Sequence, residues 1–213
     1  MKKLTDQVNN VIEKYNLMAF RDVAIFMIIL LVFHFLWKIL IGDLLEVPFI
    51  YRSAEYLSQR VFSTSQWVLD ILGVNYTPFE TLDIAGMVRN NVIYLPDVNG
   101  YVSVNLSCSG LKQFYQYFFL MLLYPGPWKH KLWFIPMGLV IIHFVNIGRI
   151  ITMTYITIHS ASNWDFWHDY VVRPFFYVVM FGLWVWWNER YYLKNKQRGK
   201  KDSASGEEEE VTV

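Results

Sequence analysis

The chain has 213 residues, of which 54% are hydrophobic and only 17% charged. Globular chains average about 45–50% apolar and about 25% charged, so an ordinary soluble domain is excluded. The 16 Phe, 14 Tyr and 9 Trp exclude a disordered chain, and a formal net charge of +1 gives no support to nucleic-acid binding. The single cysteine, Cys108, excludes a disulfide framework and any multi-cysteine metal site. An integral membrane protein is expected.

A spanning helix needs about 20 apolar residues. Val23–Gly42 is the first such run, and it is too long and lacks the cleavage site for a signal peptide. Cys108–Tyr124, Leu132–Ile158 and Pro174–Tyr192 follow. Trp and Tyr gather near their ends, as interfacial belts predict. Segment Ala54–Val74 carries Glu55, Gln59, Arg60, Gln66 and Asp70 among Leu57, Val61, Trp67 and Ile71 at helical spacing. It reads as an amphipathic helix on the membrane or against the bundle. Asn91–Leu95 and Tyr101–Leu106 flank Pro96–Gly100, whose Asn99-Gly100 pair signals a hairpin.

The expected fold is all-α and polytopic, with about four transmembrane helices, an external amphipathic helix and a short external β-hairpin. Residues 1–193 form one membrane domain, and 194–213 a charged cytoplasmic tail. With four spans, the N-terminal end, the Pro125–Lys131 loop and the C-terminal end share one side. With Arg190 at the end of the last span counted among them, they hold twelve of the 19 Lys and Arg, against four on the longer opposite side. That excess places both termini in the cytoplasm.

Polar groups then fall on this topology. Cys108 opens the second span at the external face. Arg149 lies 17 residues after Leu132, about 26 Å along a core of roughly 30 Å, again near the external face. His168 sits in the external loop before the last span. A thiol, a guanidinium and an imidazole thus reach one membrane face from three elements.

Their chemistry is that of a cysteine nucleophile. A thiolate attacks, an imidazole handles the proton, and an arginine aimed at the oxyanion contributes on the order of 10²–10³ in rate. Ser109 and Gly110 are positioned to bring backbone N–H groups near the nucleophile, and a helix starting there would favour the thiolate. Asp165 or Asp169 is placed to orient His168, and sequence does not choose between them. Blander roles exist for each residue. A lone membrane cysteine is usually a small filler and a loop histidine usually polar surface. An intramembrane arginine is costly and marks function or a buried ion pair. His143 shares a broad face with Asn146 and Arg149, where helix–helix hydrogen bonding competes with a place in the site. His34 reads as a packing or polar contact, and His130 as surface.

Three blocks carry a resemblance: Ser107-Cys108-Ser109-Gly110-Leu111-Lys112, Asn146-Ile147-Gly148-Arg149-Ile150 and Phe166-Trp167-His168-Asp169. Together they resemble the motifs of the exosortase/archaeosortase family, over roughly residues 70–190. These are multi-spanning membrane cysteine transpeptidases for exported proteins. Their cargo carries a C-terminal short motif, a transmembrane helix and a basic tail. The resemblance implies Cys108 as nucleophile, Arg149 as transition-state stabiliser and His168 as acid/base. It implies the acyl product passing to a membrane lipid or surface acceptor, and no metal or organic cofactor. Ser109, Gly110, Lys112, Asn146 and Asp169 are expected in support. Two departures stand out: Lys112 where the family often has arginine, and Val171-Val172 where a glycine often follows the histidine block. The rival expectations are a non-catalytic membrane scaffold and a transporter component.

Overall fold

The computed structural model describes residues 18–193; the expected tail, 194–213, lies outside them. Helix α1 (Met18–Glu46) and helix α2 (Pro48–Ile71) are separated by Val47, with Pro48 starting α2, where a missing N–H costs nothing. Strands β1 (Thr77–Ile84), β2 (Met87–Leu95) and β3 (Gly100–Ser103) form an antiparallel sheet in the order β1-β2-β3. Helix α3 (Leu111–Leu123) and helix α4 (Trp128–Ser160) follow. The last helical stretch begins with the turn Trp164–Phe166, widens into a π turn at Trp167–Val172, continues as α5 (Arg173–Trp187) and ends in a second π turn, Asn188–Tyr192. The molecule is mostly helical with one small sheet.

Two stretches, Phe20–Leu40 and Trp128–Tyr192, are long and apolar enough to cross a membrane by length and composition. The second contains both α4 and α5. The expected span Cys108–Tyr124 is the 13-residue α3, about 20 Å long against a hydrocarbon core of roughly 30 Å. Helix α4 has 33 residues, or about 50 Å, and therefore runs through two separate cores.

The lower core joins α1, α3, α4 and α5 through Phe26, Leu30, Tyr117, Leu120, Phe134, Ile142, Phe176 and Trp187. Lys131 closes one end of it: its Nζ donates to the Leu122 and Tyr124 carbonyls at 2.9 and 2.7 Å, the free carbonyls at the end of α3. The upper core joins α2 and the sheet to the far half of α4 through Val61, Leu69, Ile93, Leu95, Val102, Val104, Ile150 and Met153. Where those two cores meet on α4 lies the cavity described below.

Helix α2 packs against the rest as an amphipathic helix, and of Leu57, Val61, Trp67 and Ile71 only Val61 is fully buried. Ala54, Ser58, Val61, Phe62, Ser65 and Leu69 are buried, whereas Trp67 and Ile71 are more than 60% exposed. Small Ala and Ser side chains let the helix approach the sheet closely. Ser58 Oγ donates to the Val104 carbonyl at 2.6 Å, and Asn91 Nδ2 donates to Ser58 Oγ at 2.9 Å. Burial and a 2.8 Å hydrogen bond to Asp70 push the Tyr76 phenol up to about 12, because the charged form loses water and faces a carboxylate.

The hairpin exists, with two differences. Its connection is the turn Pro96–Val98 followed by Asn99 at φ +48°, and Gly100 already belongs to β3. The partner β2 also pairs with β1, a strand the sequence reading left out, through a two-residue turn in which Ala85 and Gly86 both have positive φ, the requirement of a type I′ hairpin.

Candidate active site

Each polar group is delivered by a different element. The turn Leu106–Cys108 leads from the sheet into α3. Cys108 N–H donates to the backbone carbonyl and side-chain Oδ1 of Asn105, at 2.9 and 3.1 Å. Ser109 N–H donates to Leu106 O at 3.3 Å. The Cys108 and Ser109 amides are thus consumed in holding the turn, which removes Ser109 from the expected set of backbone donors near the thiol. Ser109 is fully buried, and its Oγ accepts the Leu111 N–H at 3.2 Å, so it supports the start of α3.

Gly110 is the hinge between turn and helix. Its φ of +83° is left-handed, and a Cβ there would stand 3.0 Å from Asn146 Nδ2, so both backbone and space require glycine. Asn146, on α4, is fully buried, and its Nδ2 donates to the Cys108 carbonyl at 2.9 Å. A carbonyl can only accept, which fixes the amide's orientation. The first and second sequence blocks are therefore locked together through one amide.

Arg149 follows Asn146 by three residues on the same face of α4. Its Nη2 lies 2.9 Å from His168 Nε2 and 3.9 Å from Cys108 Sγ. Arginine has no acceptor, so Nε2 must offer its lone pair and the ring proton sits on Nδ1. Nδ1 lies 2.8 Å from Asp169 Oδ1, and Arg173 Nη1 donates to that oxygen at 2.9 Å. The choice left open between Asp165 and Asp169 falls to Asp169. Cys108, Arg149, His168, Asp169 and Arg173 form one continuous polar chain.

His168 is not in a loop, as expected, but in the π turn Trp167–Val172. Such turns are single insertions in α-helices and recur at functional sites. Trp164 stacks on the imidazole with ring centres 4.6 Å apart and planes 13° from parallel. Stacking on one side and the carboxylate at Nδ1 fix the ring. Trp164 and Arg173 lie four residues before His168 and four after Asp169, a helical spacing that a loop reading hid.

Cys108, Arg149, Trp164, His168 and Arg173 line a cavity of about 780 Å³ together with His34, Arg89, Lys112 and the β3 residues Tyr101, Val102 and Ser103. Lys112 Nζ lies 3.3 Å from His34 Nδ1, so α1 reaches the site, a contact that no local sequence pattern signals. His143 does not join it: its ring packs edge-on against Phe114, centroids 6.4 Å apart. No group of three or more His, Cys, Asp or Glu among the described residues is disposed to hold a metal.

The arrangement offers a nucleophile beside a fixed cation and an oriented imidazole. It can stabilise a thiolate or a developing oxyanion and accept a proton at Nε2. No curated protein and no solved structure matches the chain. The family model for transmembrane exosortases matches residues 17–190, spanning α1 to the last helix and including all the site residues. The chain belongs to the transmembrane exosortase family.

Proposed function

We propose that the protein is a membrane cysteine transpeptidase that cleaves the C-terminal sorting signal of exported proteins. The observation that carries this reading is the position of Arg149, within 3.9 Å of the Cys108 sulfur and 2.9 Å of the His168 imidazole. As the substrate carbonyl enters, Arg149 turns from His168 Nε2 toward the carbonyl oxygen, and Cys108 gives its proton to the freed Nε2 and attacks the scissile carbonyl as thiolate. Arg149 then stabilises the new oxyanion, which the Cys108 and Ser109 amides are not free to bind. The tetrahedral adduct collapses as His168 returns the proton to the leaving amine. A thioester remains, and an amine acceptor or water resolves it, regenerating the thiol. Asp169 holds the proton on Nδ1 throughout. The chemistry requires no metal or organic cofactor.

The cargo in this reading is an exported protein with a short motif, one transmembrane helix and a basic tail. The acceptor is a membrane lipid or surface group. The protein is multi-pass with about four spans, both termini cytoplasmic and the site at the external face, a topology supported by the charge bias.

Processing of a co-expressed exported protein with that tripartite end, read by its change in size, tests the reading. Cys108→Ala is expected to abolish processing, and a membrane-impermeant maleimide to label Cys108 from outside. Full processing by Cys108→Ala would leave a scaffold role instead, and labelling only from the cytoplasm would invert the topology.

A further inference from the structure

Strand β3 is the last strand of the sheet, and its register identifies what its free edge presents. Val104 N–H donates to Asn91 O at 2.9 Å, and β2 pairs with β3 as Val92 with Ser103, Ile93 with Val102 and Tyr94 with Tyr101. Antiparallel pairs alternate between hydrogen-bonded and non-bonded. With Val104 bonded across, Val102 and Gly100 are the bonded residues of β3. The N–H and C=O of Tyr101 and Ser103 therefore point away from β2. No hydrogen bond to any of these four backbone groups from another described residue is formed.

That edge borders the thiol cavity. Tyr101, Val102 and Ser103 all line it, alongside Cys108, Arg149 and His168. Successive strand residues point to opposite faces, so three in a row can share one cavity only where the strand presents its edge. The other wall at this level is α4, through Ile150, Met153 and Thr157. Gly100 packs so tightly there that a Cβ would stand 2.8 Å from the Thr157 side chain, which holds the strand against the helix. Cys108 follows Ser103 by five residues, so the chain that forms the edge also delivers the sulfur.

We propose that the segment of the substrate leading to the scissile bond binds as a fourth strand on β3, paired to the backbone of Tyr101 and Ser103. This rests on the function proposed above and adds the conformation in which the cargo motif is read. An edge with free donors and acceptors is a template for an extended chain. Backbone pairing supplies the hold, and alternate substrate side chains face opposite walls. The scissile carbonyl then enters in a fixed register against Cys108 and Arg149.

The probe is acetyl-tetra-alanine aldehyde, whose backbone carries the binding. Its carbonyl adds Cys108 across the C=O: the C–S bond forms and the thiol proton ends on the new hydroxyl. The full-length protein in lipid nanodiscs is treated with this aldehyde and with forms N-methylated at each amide in turn. Protection of Cys108 from a maleimide is then measured. Methylation at alternate positions is expected to weaken protection about tenfold or more, because it removes a donor and puts a methyl group against β3; the positions between are expected to change little. Equal effects at every amide, or no protection by the parent aldehyde, would overturn the docking. Cargo processing that proves independent of Cys108 would instead remove the function on which it rests, so the two failures are told apart.

Discussion

The guanidinium of Arg149 donates to Nε2 of His168 at 2.9 Å, the nitrogen that must take a proton in the proposed reaction. The same Nη2 lies 3.9 Å from the Cys108 sulfur. Before substrate enters, one guanidinium nitrogen bridges imidazole and thiol. As a carbonyl enters and is polarised toward an oxyanion, its oxygen becomes a stronger acceptor for the guanidinium than a neutral ring nitrogen. The exchange frees Nε2 to take the thiol proton.

Replacing this fork by a single ammonium tests the arrangement. Arg149→Lys keeps the charge but replaces the rigid planar guanidinium, whose Nη2 reaches both partners, with a compact ammonium on a flexible stem. Cargo processing is expected to fall by about 10²–10³, the cost of a removed oxyanion donor. Maleimide labelling of Cys108 from outside should persist, since the fold and exposure are unchanged. Processing within threefold of the parent would remove Arg149 from the reaction.

Asp169 acts through His168. Its Oδ1 receives Nδ1–H at 2.8 Å and also the Arg173 guanidinium at 2.9 Å. Asp169→Asn can present its amide nitrogen to Nδ1 and so favours the proton on Nε2, where it would face Arg149. Because the carboxylate is partly exposed, water relieves part of that conflict, and a loss of roughly 10–10² in processing rate is expected. Arg173→Gln, by contrast, leaves the carboxylate in place and touches a mostly exposed pair, so its effect is expected to stay within a few-fold. Equal losses from both substitutions would point to a structural role for the pair.

The site was legible in the sequence because membrane geometry constrains it. Hydropathy and the charge bias together bring Cys108, Arg149 and His168 to one expected membrane face, since an apolar run sets a residue's height along the normal. Packing partners within that layer were not legible. His34 lies in an apolar run whose one charged residue is Lys38, and nothing local says which neighbour its ring meets. The π turn around His168 reads as a loop because aromatic and acidic residues interrupt the hydrophobic pattern; only the Trp164–His168 and Asp169–Arg173 spacings carry a helical signal. Strand β1 escaped because Pro78 and two acidic residues mask its alternation, and its partner lies across a turn with alanine at a left-handed position. Hydrophobic spacing does not show which residues of α2 turn inward: Val61 does, but serines rather than Trp67 accompany it.

Gly110 couples backbone geometry to the nucleophile. A side chain there must adopt φ +83° and also stand 3.0 Å from Asn146 Nδ2. Non-glycine residues in that region cost of order 1–3 kcal/mol, and displacing Asn146 would leave the Cys108 carbonyl without its 2.9 Å donor. Gly110→Ala is therefore expected to lower the melting temperature and to reduce processing more than the stability loss accounts for. Gly148→Ala serves as the control, since no atom lies within 4 Å of a Cβ at that position; it should leave both readouts near the parent values. If Gly110→Ala processed cargo normally, the turn would not set the position of the thiol.

Lys131 separates stability from chemistry, because it lies at the far end of α4 from the site. Its ammonium is buried, donates to the Leu122 and Tyr124 carbonyls, and stands 4.6 Å from the Trp128 ring centre. Lys131→Met preserves much of the packed stem but leaves two carbonyls at the end of α3 without a donor. An unsatisfied buried polar group costs about 1–3 kcal/mol, so the midpoint of thermal unfolding in detergent should drop clearly. Lys131→Arg retains a cation and several donors and should recover most of that loss. Cys108 labelling and processing per folded molecule are expected to stay unchanged in both variants, because the polar chain from Cys108 to Arg173 makes no contact with this residue. A specific loss of processing in Lys131→Met, with folding intact, would show that the end of α3 controls the thiol at its start.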